Sequence, residues 1–141
     1  MNFWDASAVV PLLVEERSRE AMLTLVDQDP VMLVWWSTPV ECASAIARRE
    51  RDESLSVSDA GTALDRLRTL TSQWQEVLPS DAVRSVAQRI LRVHPLRGAD
   101  SLQLAAAIIA AEREPATLAF VSLDARMNDV AAREGFRVLS G

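Results

Sequence analysis

The chain contains no lysine, and it has only one cysteine and one histidine among its 141 residues. A single thiol, Cys42, cannot form an intramolecular disulfide and fits a reducing compartment. A metal site of imidazole and thiolate ligands is disfavoured, because His94 is the only imidazole. All basic residues are arginines, so chemistry that needs a lysine beside an acceptor carboxylate is excluded.

Long apolar runs, low-complexity segments and internal repeats are also absent. The apolar run at 104–111 is too short to span a bilayer, and the run at 8–14 lacks the basic start and cleavage site of a secretory signal. Hydrophobic residues make up 49% and charged residues 25%, as in ordinary globular proteins. We therefore expect one domain over residues 1–141, located in the cytoplasm and not associated with a membrane.

The net charge is −5, from 15 arginines and 20 acidic residues. Domains that bind nucleic acid usually present a basic face, so this balance at first argues against such a partner. A pocket in which acids bind divalent cations would invert the local sign of the charge. The acidity therefore does not exclude nucleic acid.

Hydrophobic patterning predicts strands alternating with helices. Strands are expected at 2–5, 31–36, 76–78 (at an edge), 118–122 and 136–139, and helices at 7–14, 16–27, 38–52, 58–70, from 80 or 81 to about 91, 98–113 and 125–134. This alternation predicts an α/β fold with a mostly parallel sheet. Ligands of such sheets bind beyond the carboxyl ends of the strands, so functional residues are expected there.

Four acids are predicted near that edge. Asp5 ends the first strand and Asp124 follows the fourth, whereas Glu41 and Asp100 lie in the first turns of helices. Asp5 and Asp124 could simply cap the helices that follow them. Glu41 could be the capping-box partner of Thr38, and Asp100 could be favoured by the helix dipole. Their joint arrangement instead indicates a carboxylate cluster, which would raise some pKa values or bind Mg²⁺ or Mn²⁺.

A family resemblance rests on DASA at 5–8, PVE at 39–41, HPLRGADSLQLA at 94–105, FVSLD at 120–124 and AAREGF at 131–136. In this order and over nearly the whole chain, these segments resemble PIN-domain ribonucleases, specifically the VapC-type toxins of bacterial toxin–antitoxin pairs. The segment 94–105 is the most specific, and the opening Asp-x-Ser is weak by itself. Ala6 and Ser122 stand where the family more often has other residues.

The resemblance implies a PIN-like three-layer α/β/α sandwich with a mostly parallel sheet of about five strands. It implies that Asp5, Glu41 and Asp100 are the principal catalytic and metal-binding acids, and that Asp124 completes the site. It further implies a Mg²⁺-dependent endoribonuclease, with Mn²⁺ as the alternative ion, that hydrolyses RNA with metal-activated water. The chain would be the toxin of a type II pair, a homodimer that is blocked by a VapB-type antitoxin.

Several other residues have both a functional and a structural interpretation. The resemblance implies that Ser7 supports Asp5 or a metal-bound water. Asn128, one helical turn beyond Asp124, could share the role of that acid. Arg97 could contact an RNA phosphate, although an ordinary surface arginine is the more frequent case. Arg48 fits a solvated helix face better than an RNA contact.

Competing enzyme classes fit poorly. Receiver-type phosphoacceptor domains rely on a lysine, and haloacid-dehalogenase-type phosphatases need both a lysine and an Asp-x-Asp strand end, where this chain has Asp5-Ala6-Ser7. The stronger alternative is a catalytically weak PIN-fold module with a binding or regulatory role. The presence of all four acids argues against such a degenerate site.

Overall fold

A computed structural model describes all 141 residues, which form five strands and seven α-helices. The strands are β1 (Asn2–Trp4), β2 (Met32–Trp35), β3 (Gln75–Val77), β4 (Ala119–Val121) and β5 (Arg137–Leu139). The helices are α1 (Ala6–Leu13), α2 (Arg19–Gln28), α3 (Thr38–Arg51), α4 (Val57–Gln73), α5 (Asp81–Val93), α6 (Gly98–Ala110) and α7 (Ala125–Arg133). Each element that the patterning predicts is present, with ends that differ by a few residues.

Local backbone chemistry sets the helix ends. Ser80 begins α5, because its hydroxyl accepts a hydrogen bond from the N–H of Val83 at 3.2 Å. The helix α6 stops at Ala110, before its predicted end. Glu112 and Arg113 adopt left-handed backbone angles, with φ of 54° and 62°, and so cannot continue the helix.

The five strands are all parallel and lie in the order β3-β2-β1-β4-β5. The chain builds the sheet outward from β1 to β2 and β3, and then returns to add β4 and β5 on the other side. The boundary between β1 and β4 is therefore the topological switch point, where α/β sheets bind ligands beyond the carboxyl ends of the strands. The predicted parallel sheet, with β3 at an edge, is confirmed.

Helices cover both faces of the sheet, because successive strand side chains point to opposite faces. On one face the rings of Phe3 and Phe120 stack with centroids 5.6 Å apart and pack against α5, α6 and α7. On the other face Trp4 and Val34 pack against α1, α3 and α4. The expected three-layer α/β/α sandwich is thus confirmed. None of its helices combines the length and the apolar character needed to cross a membrane.

Candidate active site

Asp5 directly follows β1 and lies at the switch point. The residue is only 5% exposed, and its carboxylate accepts hydrogen bonds from the hydroxyls of Ser7 at 2.7 Å and Ser122 at 2.9 Å. Its side chain makes no capping hydrogen bond to α1, so the simple capping interpretation is wrong for this acid. Burial raises the pKa of Asp5 above its usual range, and the two hydroxyls oppose that shift only in part.

Two serines join the end of β1 to the end of β4. The hydroxyl oxygens of Ser7 and Ser122 are 3.1 Å apart, and Ser7 also accepts a hydrogen bond from the N–H of Leu123 at 3.0 Å. Ser7 therefore lies beside Asp5, where the resemblance places it. Ser122 was not predicted as a site residue. The sequence shows only that Ser122 lies at the end of a buried strand. That position indicates a site residue only once β4 is known to pair with β1.

Glu41 lies in the first turn of α3, but it does not form a capping box with Thr38, which is its alternative interpretation. Ser37 occupies the N-cap position, and the Glu41 carboxylate accepts a hydrogen bond from the Nε2 amide of Gln103 instead. Burial raises the pKa of Glu41 to about 7, and repulsion from Asp5 adds to the effect of burial. The capping-box interpretation is therefore wrong, because a long-range partner competes successfully for the side chain.

Gln103 was not predicted from the sequence either. It is buried on α6, one helical turn after Asp100, and its amide nitrogen also donates to the hydroxyl of Thr38 at 3.0 Å. Its other amide atom, Oε1, is buried without a hydrogen-bond partner. A glutamine inside an apolar helix is itself a signal, because buried amides need polar partners.

Asp100 lies in the first turn of α6, as expected, and is half-buried. Burial raises its pKa, and repulsion from Asp124 adds to this effect. The positive charges of Arg97 and Arg126 oppose the shift. Asp100 thus differs from the more buried acids in having charged groups of both signs as neighbours.

Asp124 is exposed and caps α7, because its Oδ1 atom accepts hydrogen bonds from the N–H groups of Arg126 at 2.9 Å and Met127 at 3.1 Å. The capping interpretation is therefore right for this acid, whose second oxygen, Oδ2, accepts no hydrogen bond from either group. Asn128 donates to the backbone carbonyl of Ser122 at 2.9 Å, and its own Oδ1 is buried without a partner. Asn128 thus ties α7 to the end of β4.

The four acids lie near enough to affect one another. Asp100 and Asp124 both contribute to the raised pKa of Asp5. Carboxylate oxygens suit Mg²⁺ or Mn²⁺, and a bound cation would relieve the mutual repulsion. However, no three acidic, histidine or cysteine side chains are close enough to hold one ion in their present conformations. The donor chemistry therefore fits such an ion, whereas three-ligand binding would require side chains to move.

Beside these acids lies an open cleft of about 690 Å³, lined by Arg48, Arg97, Ala99, Asp100, Asp124, Ala125 and Arg126. Arg97 lies beside Asp100, as its sequence position suggests. Arg48 lines the cleft too, although its sequence context favours a solvated face. His94 does not take part, because it is buried against Glu134 with a 2.7 Å contact between Nε2 and Oε2.

Comparisons with known proteins show the fold. A chain of a toxin–antitoxin complex from Klebsiella pneumoniae superposes with a TM-score of 0.67 at 16% identity, covering 99% of this chain and 97% of that one. A chain of FitAcB from Neisseria gonorrhoeae gives the same TM-score and coverage at 14% identity. No protein-family model matches the sequence, and no curated protein matches it significantly. At these identities the similarity establishes a shared architecture over nearly the full length.

Proposed function

We propose that the chain is a single PIN-like domain that acts as a Mg²⁺-dependent endoribonuclease, the VapC-type toxin of a type II toxin–antitoxin pair. The observation that carries this proposal is the buried Asp5 at the switch point: Asp100 and Asp124 lie close enough to raise its pKa, and Asp5 in turn raises that of Glu41. Burying carboxylates beside one another costs stability, and perturbed acids in a cleft are typical of functional sites.

In this proposal each residue has a role that follows from its position in the site. Asp5, Glu41 and Asp100 would hold the cation, Mg²⁺ or Mn²⁺, and Asp124 would complete the set with the oxygen that does not cap α7. A divalent cation in such a site lowers the pKa of water and offsets the negative charge that builds on a phosphodiester during hydrolysis. We infer that Arg97 contacts a phosphate of the bound RNA.

The hydrogen-bond donors around the acids keep them in place. Ser7 and Ser122 orient the Asp5 carboxylate, and Gln103 orients that of Glu41. Asn128 fixes the loop that carries Asp124 through its bond to the backbone of Ser122. These neutral donors favour the ionised carboxylates, which are the forms that bind a cation.

The same proposal includes partners and location. We infer a VapB-type antitoxin that covers the acidic site, a homodimeric toxin and a cytoplasmic location. Support for the antitoxin comes from the shared fold, because a chain of similar structure occurs in a toxin–antitoxin complex.

The test is cleavage of total and structured RNA by the purified, antitoxin-free protein with Mg²⁺, with Mn²⁺ and with EDTA. We expect cleavage that requires the ion and is lost in Asp100→Asn. Asp65→Asn, which changes an exposed acid on α4, is the matched control and should cleave like the wild type. Ion-independent cleavage, or equal cleavage by wild type and Asp100→Asn, would contradict the proposal.

One observation favours a second candidate, a catalytically weak PIN-fold module that binds or regulates a partner. In the present side-chain conformations no three potential ligands converge, because Glu41 is bound to Gln103 and Asp124 caps α7. Wild type and Asp100→Asn would then be equally inert on RNA, while both fold and bind a protein partner.

A further inference from the structure

Three arginines that line the cleft form no ion pair. Seven of the other twelve arginines form ion pairs, such as Arg49 with Glu16 at 2.8 Å. Arg48, Arg97 and Arg126 form none. Because their side chains are exposed and form no ion pair, specific ion pairing does not account for their position.

The three arginines come from separate parts of the chain. Arg48 is in the last turn of α3, Arg97 immediately precedes α6, and Arg126 is in the first turn of α7. The fold brings all three to the wall of one cleft, beside Asp100 and Asp124. In a chain with a net charge of −5, this makes a local concentration of positive charge directly around the acids.

The first turn of α6 adds uncharged donors to the same cleft. Arg97 occupies its N-cap position without a side-chain capping bond, and the N–H groups of Gly98, Ala99 and Asp100 donate to no protein acceptor. In α7, by contrast, Asp124 accepts hydrogen bonds from two of the three corresponding groups. Uncapped N–H groups at a helix start favour an anion, and here they lie beside unpaired arginines.

We propose that Arg48, Arg97 and Arg126, here called the arginine rim, bind consecutive phosphates of an RNA strand and hold it across the acids. The inference rests on the proposed nuclease function of the same site. Arginine and backbone N–H groups contact phosphates without reading bases, so the rim supplies affinity and register rather than sequence preference. Selection of a target sequence must then come from other surfaces.

The experiment measures binding of a short fluorescein-labelled single-stranded RNA by anisotropy, in EDTA, at several KCl concentrations between about 50 and 200 mM. Each phosphate contact with a single strand contributes about 0.7 to the slope of log affinity against log salt. We expect Arg48→Gln, Arg97→Gln and Arg126→Gln each to reduce the slope by about 0.7, and the triple variant by about 2. The loss should be the same for RNAs of different sequence.

Arg113→Gln is the matched control, because Arg113 also forms no ion pair but lies beyond the opposite end of α6. Its slope and affinity should equal those of the wild type. Equal slopes for the wild type and the triple variant, with both folded by circular dichroism, would overturn the rim. Displacement of RNA by poly-glutamate of matched charge as effectively as by unlabelled RNA would also overturn it, in favour of an acidic protein segment.

The rim and the nuclease can fail separately. If RNA binding depends on the three arginines but no cleavage occurs in Mg²⁺, the arginine rim is supported and the nuclease proposal is contradicted. If the protein cleaves RNA in Mg²⁺ but the triple variant binds RNA as tightly as the wild type, the arginine rim is contradicted and the nuclease proposal stands.

Discussion

The two halves of the acidic site stabilise their carboxylates in different ways. The inner pair, Asp5 and Glu41, is buried or half-buried and held by neutral donors, namely serine hydroxyls and a glutamine amide. The outer pair, Asp100 and Asp124, is half-buried or exposed, and arginine charges offset the repulsion at Asp100.

This difference shows that burial determines which groups stabilise the negative charge of a carboxylate. A buried acid cannot rely on solvated counter-charges, so short hydrogen bonds must hold it. An acid near the surface can use arginines, which water and salt partly screen. The inner pair should therefore be sensitive to the loss of single donors, and the outer pair to ionic strength.

The largest expected effect is on RNA cleavage. The same isosteric change, aspartate to asparagine, is made in the inner pair and in the outer pair. Asp5→Asn should lower RNA cleavage by about 10³-fold, because it removes a ligand of the proposed cation, which would be worth several kcal/mol in the transition state. Asp124→Asn should lower cleavage only about tenfold, because asparagine caps a helix as well as aspartate does. Single-turnover cleavage in Mg²⁺ provides the measurement. Similar losses in the two variants would break the distinction between the halves.

A smaller effect is expected at Gln103, the donor that holds Glu41. Gln103→Leu should weaken cation affinity and cleavage by about 10–100-fold, as the loss of a hydrogen bond to a metal ligand usually does. Mn²⁺ affinity, measured by titration calorimetry, gives a readout independent of turnover. Gln103→Asn tests whether a shorter amide rescues part of the loss. Unchanged Mn²⁺ affinity in Gln103→Leu would remove its positioning role.

The smallest effect is a pH dependence of stability. The folded-state pKa of Glu41 is about 7, above the ordinary value of 4.5, so the folded protein binds more protons than the unfolded chain in that interval. In EDTA, stability should therefore be highest below about pH 4.5 with respect to this group. It should fall by about 1–2 kcal/mol as the pH rises through 7, allowing for partial solvent exposure. Urea unfolding at several pH values measures this.

Two changes should flatten that pH profile. Glu41→Gln removes the titrating group, and Mg²⁺ in excess favours the ionised carboxylate in the folded state. A wild-type profile that rises between pH 4.5 and 7 would give the opposite sign and would show that other groups dominate the linkage.

Much of the architecture is predictable because it depends on short-range patterns. Alternation of apolar runs identifies the strands and helices, and parallel topology then places Asp5 and Asp124 at one sheet edge. Strand order is different in kind. The pairing of β1 with β4 joins segments more than a hundred residues apart, and no local pattern specifies it.

Side-chain partners are likewise predictable when they are close in sequence and not when they are distant. That Glu41 would bind Gln103 rather than cap α3 depends on how α6 packs against the start of α3, which spacing along α3 alone does not specify. Asp124 does cap its helix, because its partners are the next residues in the chain. Local interpretations therefore succeed where the competing partner is local, and they fail where a distant polar group is better placed.

The link from Ser122 to Asp5 has a consequence for the order of events during synthesis. On the ribosome, Asp5 emerges 117 residues before Ser122, which lies at the end of the strand that completes its surroundings. Until β4 pairs with β1, the carboxylate has only its neighbour Ser7 as a side-chain donor and remains open to water. A nascent chain thus carries Asp5 without an assembled site until residue 122 has been added, and any activity of that site must wait for β4 to pair with β1.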